Sequence, residues 1–190
     1  PAFVFAGDGQ APAVTPLRKS FARHLSGGNK PDFSKIRTVC EKIAPFGWHA
    51  VIYMEADDVV DCADALKSLP VPVVFDHMAR INPDQGIGQP AFQLLLNFLK
   101  DSGAWVKITG AERLSKAGTP FHDVIPFAQA LIEAAPDNLL WGTDWPHPNI
   151  AGYMPNDGDL VDLLGEYVGG DEALLKKILV DNPARLYRFN

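Results

Sequence analysis

Apolar and polar positions follow two rhythms along this chain, and the switch between them repeats. Short, nearly continuous apolar runs at His49 to Glu55, Pro72 to His77, Ala104 to Thr109 and Asn138 to Asp144 read as buried strands. Between and after them, apolar residues recur at three- and four-residue spacing, which predicts helices. The first helix opens at Pro31-Asp32 and runs to about Ala44, with Ile36, Val39, Cys40 and Ile43 as its stripe. Others are expected over Asp57 to Leu69, Pro90 to Lys100, Pro120 to Ala135 (with a kink at Pro126), Asp159 to Val168 and Glu172 to Val180. Asp171 is placed to cap the last of these, and Asn182-Pro183 to cap and start a final short helix. Ahead of the pattern, Leu17 to Leu25 reads as a further extended segment. Residues 1–16 read as irregular, although Phe3-Val4-Phe5 offers a short strand.

Strands that alternate with helices and are apolar throughout predict an α/β fold with a parallel sheet covered by helices. No repeat or domain boundary interrupts residues 1–190, which read as a single domain. An open doubly wound sheet would place a glycine-rich turn after its first strand. The clusters Gly7/Gly9 and Gly27-Gly28 have the wrong spacing for that turn. Polar residues sit instead at the C-terminal ends of several strands: Glu55, Asp76-His77 and Asp144. That distribution favours a TIM (β/α)8 barrel.

The formal net charge of -6 argues against nucleic acid or an anionic membrane as partner. No apolar run approaches a membrane span, and the N-terminal apolar patch lacks the basic flank of a signal peptide. Cys40 and Cys62 match no redox or zinc spacing and read as buried free thiols, which suits a cytoplasmic protein.

The richest chemistry lies in Trp141-Gly142-Thr143-Asp144-Trp145-Pro146-His147-Pro148-Asn149. An apolar strand stops there at a carboxylate, and two prolines stiffen the loop behind it. Asp144 suits a general base for water or a metal ligand, and the bland alternative is a helix cap. Strand alternation puts His77 on a face with Val73 and Phe75, where an inward His could donate to a substrate oxygen or bind a metal. A core histidine bonded to a carbonyl is the competing reading. Lys107, inside a buried strand, calls for an ion-pair partner or a wet cavity. Arg18, Arg23, Arg80 and Arg113 would favour a substrate with several acidic groups if they surround one cavity; solvated surface arginine is the alternative for each.

Phe75-Asp76-His77-Met78-Ala79-Arg80, Val106-Lys107-Ile108-Thr109-Gly110-Ala111-Glu112-Arg113-Leu114-Ser115, Trp141 to Asn149 and Asp181-Asn182-Pro183-Ala184-Arg185-Leu186-Tyr187 occur in this order. Together they resemble the amidohydrolase-related family of barrel hydrolases, most closely its lactonase branch that opens 2-pyrone-4,6-dicarboxylate during aromatic-compound degradation. The likeness runs from about Leu17 to the C-terminus. It implies a (β/α)8 barrel in which Asp144 takes a proton from water while His77 and His147 polarise the lactone carbonyl or position the substrate. It further implies that Arg18, Arg80 and Arg113 hold the carboxylates, with Tyr53 and Asn149 as additional contacts and Arg23 or His24 at another anion position. This branch works without a cofactor; most relatives bind zinc or another divalent ion.

The chain departs from the family pattern at its start. The family's first strand carries a His-x-His pair, and no such pair occurs here. The five strands expected from Leu17 onward correspond to barrel strands four to eight, and a full barrel needs about 250 residues. The expectation is therefore an incomplete barrel, which calls for an N-terminal segment, a partner chain in an oligomer, or a sequence that is itself a fragment. Two other functions stay open: a zinc-dependent amidohydrolase or decarboxylase of the same family, and an inactive remnant that serves as a binding or structural protein.

Overall fold

The computed structural model describes residues 2–6, 17–18, 32–148, 150 and 153–188. For β1 (Ala2–Ala6) and β2 (Leu17–Arg18) it describes the backbone alone. After them come α1 (Phe33–Ile43), β3 (His49–Ile52), α2 (Ala56–Asp61), α3 (Ala63–Lys67) and β4 (Val73–Phe75). Then follow α4 (Pro90–Ser102), β5 (Trp105–Lys107), α5 (Ala111–Leu114), α6 (Ile125–Ala134) and β6 (Leu139–Leu140). Three helices close the chain: α7 (Asp157–Tyr167), α8 (Glu172–Lys176) and α9 (Asn182–Tyr187).

The sheet order is β2-β1-β3-β4-β5-β6. β3 to β6 are mutually parallel, and the predicted strand–helix alternation supplies their crossovers. β1 runs antiparallel beside β3 and pairs on its other side with β2. The Leu17 segment, over its described residues, thus joins β1, and four parallel strands rather than five carry the strand ends. β1 also satisfies backbone groups that β3 would otherwise leave bare at an edge.

Register assigns the two faces of the parallel sheet. Ala50, Val73, Phe75, Val106 and Leu139 face the helices and form the main core with Phe92, Leu95, Phe127 and Leu131. Val51, Val74, Trp105 and Leu140 face the other way, the interior of a barrel, and pack against Leu186 and Tyr187 of α9. Both faces are buried along β3 and β4 and, His49 apart, apolar, which is why those strands read as apolar runs.

Local chemistry sets the helix ends. Asp32 accepts from the Ser34 N–H at 3.1 Å and starts α1. Pro90 fits the first turn of α4, and left-handed Gly103 (φ 67°) ends it by donating to the Leu99 carbonyl. Asp171 caps α8 through two N–H groups, as expected. Three expectations are corrected. The Asp57–Leu69 helix is two, α2 and α3, broken at Cys62. Pro126 makes no kink, because it occupies the first turn of α6, where no intrahelical N–H is needed. Asn182 does not cap α9: its buried amide donates to the Pro136 and Leu139 carbonyls, each at 3.0 Å, and pins α9 to β6. Cys40 and Cys62 are buried outside any disulfide, and burial pushes the Cys40 thiol up to about 11. Among the described residues no helix is long and apolar enough to cross a membrane.

His49 lies at the base of the interior face, fully buried, its ring 5.2 Å from Tyr187 in an edge contact. Burial, helped by the Lys107 charge, pushes it down to about 4. An unfolded histidine takes up its proton near pH 6.5, so between there and pH 4 the unfolded chain binds a proton that the folded chain refuses. Stability attributable to His49 is therefore complete above pH 6.5 and lost as pH falls, by up to about 3 kcal/mol. Urea unfolding at pH 7 and pH 4.5 should show a smaller acid loss in His49→Phe than in the native chain; equal losses would remove His49 as the cause.

Candidate active site

The strand ends converge on a cleft of about 470 Å³ on the barrel-interior side of the sheet. Its polar lining comes from Asp76, His77, Lys107, Thr109 and Asp144, with Gly142 between them, and its apolar wall includes Leu140, Pro183 and Tyr187.

Asp76 and Lys107 reach this cleft by plain strand alternation. Asp76 is two residues beyond Val74, Lys107 two beyond Trp105, and both strand residues face the interior. Their side chains pair at 3.3 Å, so Lys107 has the partner its position demands.

His77 arrives differently, and the expectation from alternation is corrected. Continuing β4 would have turned it towards the helices with Phe75. The strand stops at Phe75, and His77, Met78, Ala79 and Arg80 all take left-handed angles, φ 46° to 51°. Such a turn costs L-residues about 1–2 kcal/mol each. It is held by the complete burial of Met78 and Ala79 and by the Ala79 N–H bond to the Asp76 carbonyl. The turn brings the His77 ring to the cleft, with Nδ1 3.0 Å from Thr109 Oγ1. Nε2 stands 3.8 Å from Asp144 Oδ1 and 3.9 Å from Asp76 Oδ1. Burial holds His77 below the ordinary imidazole range, and Lys107 and Arg113 add to that; Asp76 and Asp144 pull the other way. A neutral ring between two carboxylates favours the proton on Nε2, leaving Nδ1 to accept from Thr109. His77 is then a hydrogen-bond donor aimed at the cleft.

Asp144 also has a left-handed backbone (φ 67°), and it lines the cleft together with Leu140 and Gly142. Arg113 donates from Nε to Asp144 Oδ2 at 2.7 Å, and its Nη2 lies 2.5 Å from the same oxygen. Arg113 Nη1 donates to the Pro148 carbonyl at 3.0 Å, tying the guanidinium to the loop that carries Asp144. Oδ1 is left facing His77.

The other predicted residues divide into three groups. Tyr53 and Arg80 form a second layer: the Tyr53 ring meets His77 edge-on at 5.7 Å, and Arg80 lies over that ring and donates to its hydroxyl. Glu55 is 3.9 Å from Arg80 Nε. His147 is buried behind Asp144, away from the cleft lining, with Nε2 3.3 Å from Asp157 and Nδ1 3.7 Å from Glu112. Arg23, His24 and Asn149, and the side chain of Arg18, lie outside the described residues.

Glu112 is the residue that sequence reasoning missed. Its side chain is 1% exposed, and neither carboxylate oxygen has a hydrogen-bond partner among the described residues. A glutamate in the first turn of a short helix resembles a solvated residue, and nothing local in the sequence marks its burial. Asp76 did carry a signal, since a carboxylate cannot face the apolar helix layer.

Among the described residues, Glu112, Asp144 and His147 bring one ligand atom each within 4.8 Å of one another. Those donor types suit zinc. However, Arg113 Nε is 2.7 Å from Asp144 and 3.4 Å from Glu112, so a cationic side chain already sits against two of the three donors. As arranged, the group does not fit a metal ion.

Comparison with known proteins bears on this geometry. A model of the family described as amidohydrolase matches residues 12–189. A 2-pyrone-4,6-dicarboxylate hydrolase of Comamonas testosteroni is 39% identical over 92% of this chain and 59% of its own length. A 4-sulfomuconolactone hydrolase of Hydrogenophaga intermedia is 36% identical over 85% of the chain and 54% of its own. The chain thus spans little more than half the length of these curated relatives. An Acinetobacter baumannii protein assigned as a 2-pyrone-4,6-dicarboxylic acid hydrolase, solved with citric acid bound, superimposes with TM-score 0.72 at 25% identity. That match covers 85% of this chain and 61% of the other. Such neighbours are (β/α)8-barrel hydrolases, and the four parallel strands with their helices are part of that barrel.

Gly110 (φ 79°) makes the close approach of His77 feasible: a Cβ there would fall 2.6 Å from His77 Nδ1. Gly110→Ala should displace the ring from Thr109 and destabilise the chain by about 1–3 kcal/mol. The checks are His77 imidazole NMR shifts and urea unfolding; unchanged shifts and stability would contradict this packing.

Proposed function

Because the chain belongs to the amidohydrolase family, we propose that its strand-end site opens the ring of an anionic lactone by attack of water. The observation that carries the reading is the juxtaposition of Asp144 Oδ1 and His77 Nε2, 3.8 Å apart, at one cleft. One group is a carboxylate oxygen not taken by Arg113, the other a donor. Water attack on an ester carbonyl needs that combination.

In the proposed reaction the water oxygen bonds to the lactone carbonyl carbon and its proton passes to Asp144 Oδ1. His77 Nε2–H stabilises the charge that builds on the carbonyl oxygen. The intermediate collapses with cleavage of the ring carbon–oxygen bond, and the departing ring oxygen takes up the proton. Arg113 positions the base; Lys107, in the cleft lining, meets an acidic group of the substrate. Arg80 lies over the Tyr53 ring, which packs edge-on against His77, and so supports the donor from behind.

Two features support an anionic lactone in particular. Both curated relatives bear the names of lactones with acidic substituents, and the Acinetobacter baumannii neighbour holds citric acid. Of the described cationic side chains, Lys107 is the one that lines the cleft.

With 2-pyrone-4,6-dicarboxylate as substrate and loss of pyrone absorbance as readout, Asp144→Asn should lower kcat by about 100-fold or more. Turnover within a factor of two would remove Asp144 as the base. Lys107→Met should act mainly on KM, raising it about tenfold, in keeping with one charge-assisted contact. A fall in kcat at constant KM would place Lys107 in the chemical step instead.

A further inference from the structure

Buried polar atoms without partners mark places where a structure is prepared for something more. Three that lack a hydrogen-bond partner among the described residues meet at one point of this molecule: both oxygens of Glu112 and His147 Nδ1. The Glu112 side chain is 1% exposed and that of His147 2%. Asp144, the third donor of the group, adds a second carboxylate within 4.8 Å.

We propose that Glu112, Asp144 and His147 form a divalent-cation site that the Arg113 guanidinium plugs. Two carboxylates this close, one of them buried, repel each other and need positive charge between them. Arg113 supplies a single charge, and it does so unevenly. It hydrogen-bonds Asp144 at 2.7 Å but only approaches Glu112, at 3.4 Å, without forming a bond. His147 Nδ1, 3.7 Å from Glu112, makes no hydrogen bond among the described residues. A planar guanidinium tethered to the Pro148 carbonyl cannot face all three donors at once. A compact divalent ion can, and carboxylate and imidazole donors suit it. Adjacency in sequence makes the plug intrinsic: Arg113 follows Glu112 on the same short helix, so forming the donor group also delivers the cation that fills it.

The proposal predicts a gain of binding when the plug is removed. Titration with Co²⁺, followed by its visible absorption and by calorimetry, should show one ion bound to Arg113→Met. Affinity should exceed that of the native chain by on the order of 100-fold, the scale on which neighbouring groups move metal affinity. Arg113→Lys, which keeps the charge, should stay as closed as the native chain, and Arg113→Met with Glu112→Gln should lose the gained ion. If Arg113→Met folds only when Co²⁺ is added, the ion has replaced the guanidinium and the proposal stands. The proposal is overturned if Arg113→Met neither binds Co²⁺ nor is refolded by it, or if the double variant binds as tightly as the single one. It also fails if the native chain binds Co²⁺ as tightly as Arg113→Met does. None of these readouts depends on turnover, so they stand apart from the lactone assignment.

Discussion

The ion pair between Arg113 and Asp144 is the interaction on which the site is organised. A carboxylate at the end of an apolar strand is an expensive group to withdraw from water, and it stays charged in place only with a partner. Arg113 meets one oxygen of Asp144 and the carbonyl of Pro148, which fixes the carboxylate and its loop together. The other oxygen is thereby turned to His77. Interacting polar groups then follow one another across the strand ends, from Lys107 through Asp76, neutral His77, Asp144 and Arg113 to Glu112 and His147. The opposite charges in that row, Lys107 with Asp76 and Arg113 with Asp144, stabilise each other.

Backbone strain supplies what pairing alone does not. Four consecutive left-handed residues after β4, and Asp144 itself in the left-handed region, place side chains where regular strands would not. The helix-facing core holds this strain in place, because Met78 and Ala79 are sealed within it. The apolar layer and the reactive layer are thus coupled. Strain of this kind gathers where a structure holds groups ready to act.

Much of this was legible in the sequence. Nearly continuous apolar runs and period-3.6 patterning located the parallel strands and their helices, because those elements owe their stability to burial, which patterning records. Asp144 and His77 stood out as polar groups at strand ends, and they do meet. The sense in which His77 faces the cleft was not legible: alternation holds only while the strand continues, and a left-handed turn of His-Met-Ala-Arg has no glycine to announce it. Glu112 was invisible for a related reason, since its neighbours are distant in sequence: His147 and residues of α7 such as Tyr167. Pro126 and Asn182 show the limit of single-residue rules. The helix rules foresaw a kink and a cap, while packing put one residue in a tolerant first turn and turned the other towards two strand-end carbonyls.

The origin of the oxygen tests the proposed ring opening by water most directly. Hydrolysis of 2-pyrone-4,6-dicarboxylate in ¹⁸O-water, with products analysed by fragmentation mass spectrometry, should place one ¹⁸O in the newly formed carboxylate. Product without label in that carboxylate, or loss of carbon dioxide in its place, would contradict the account.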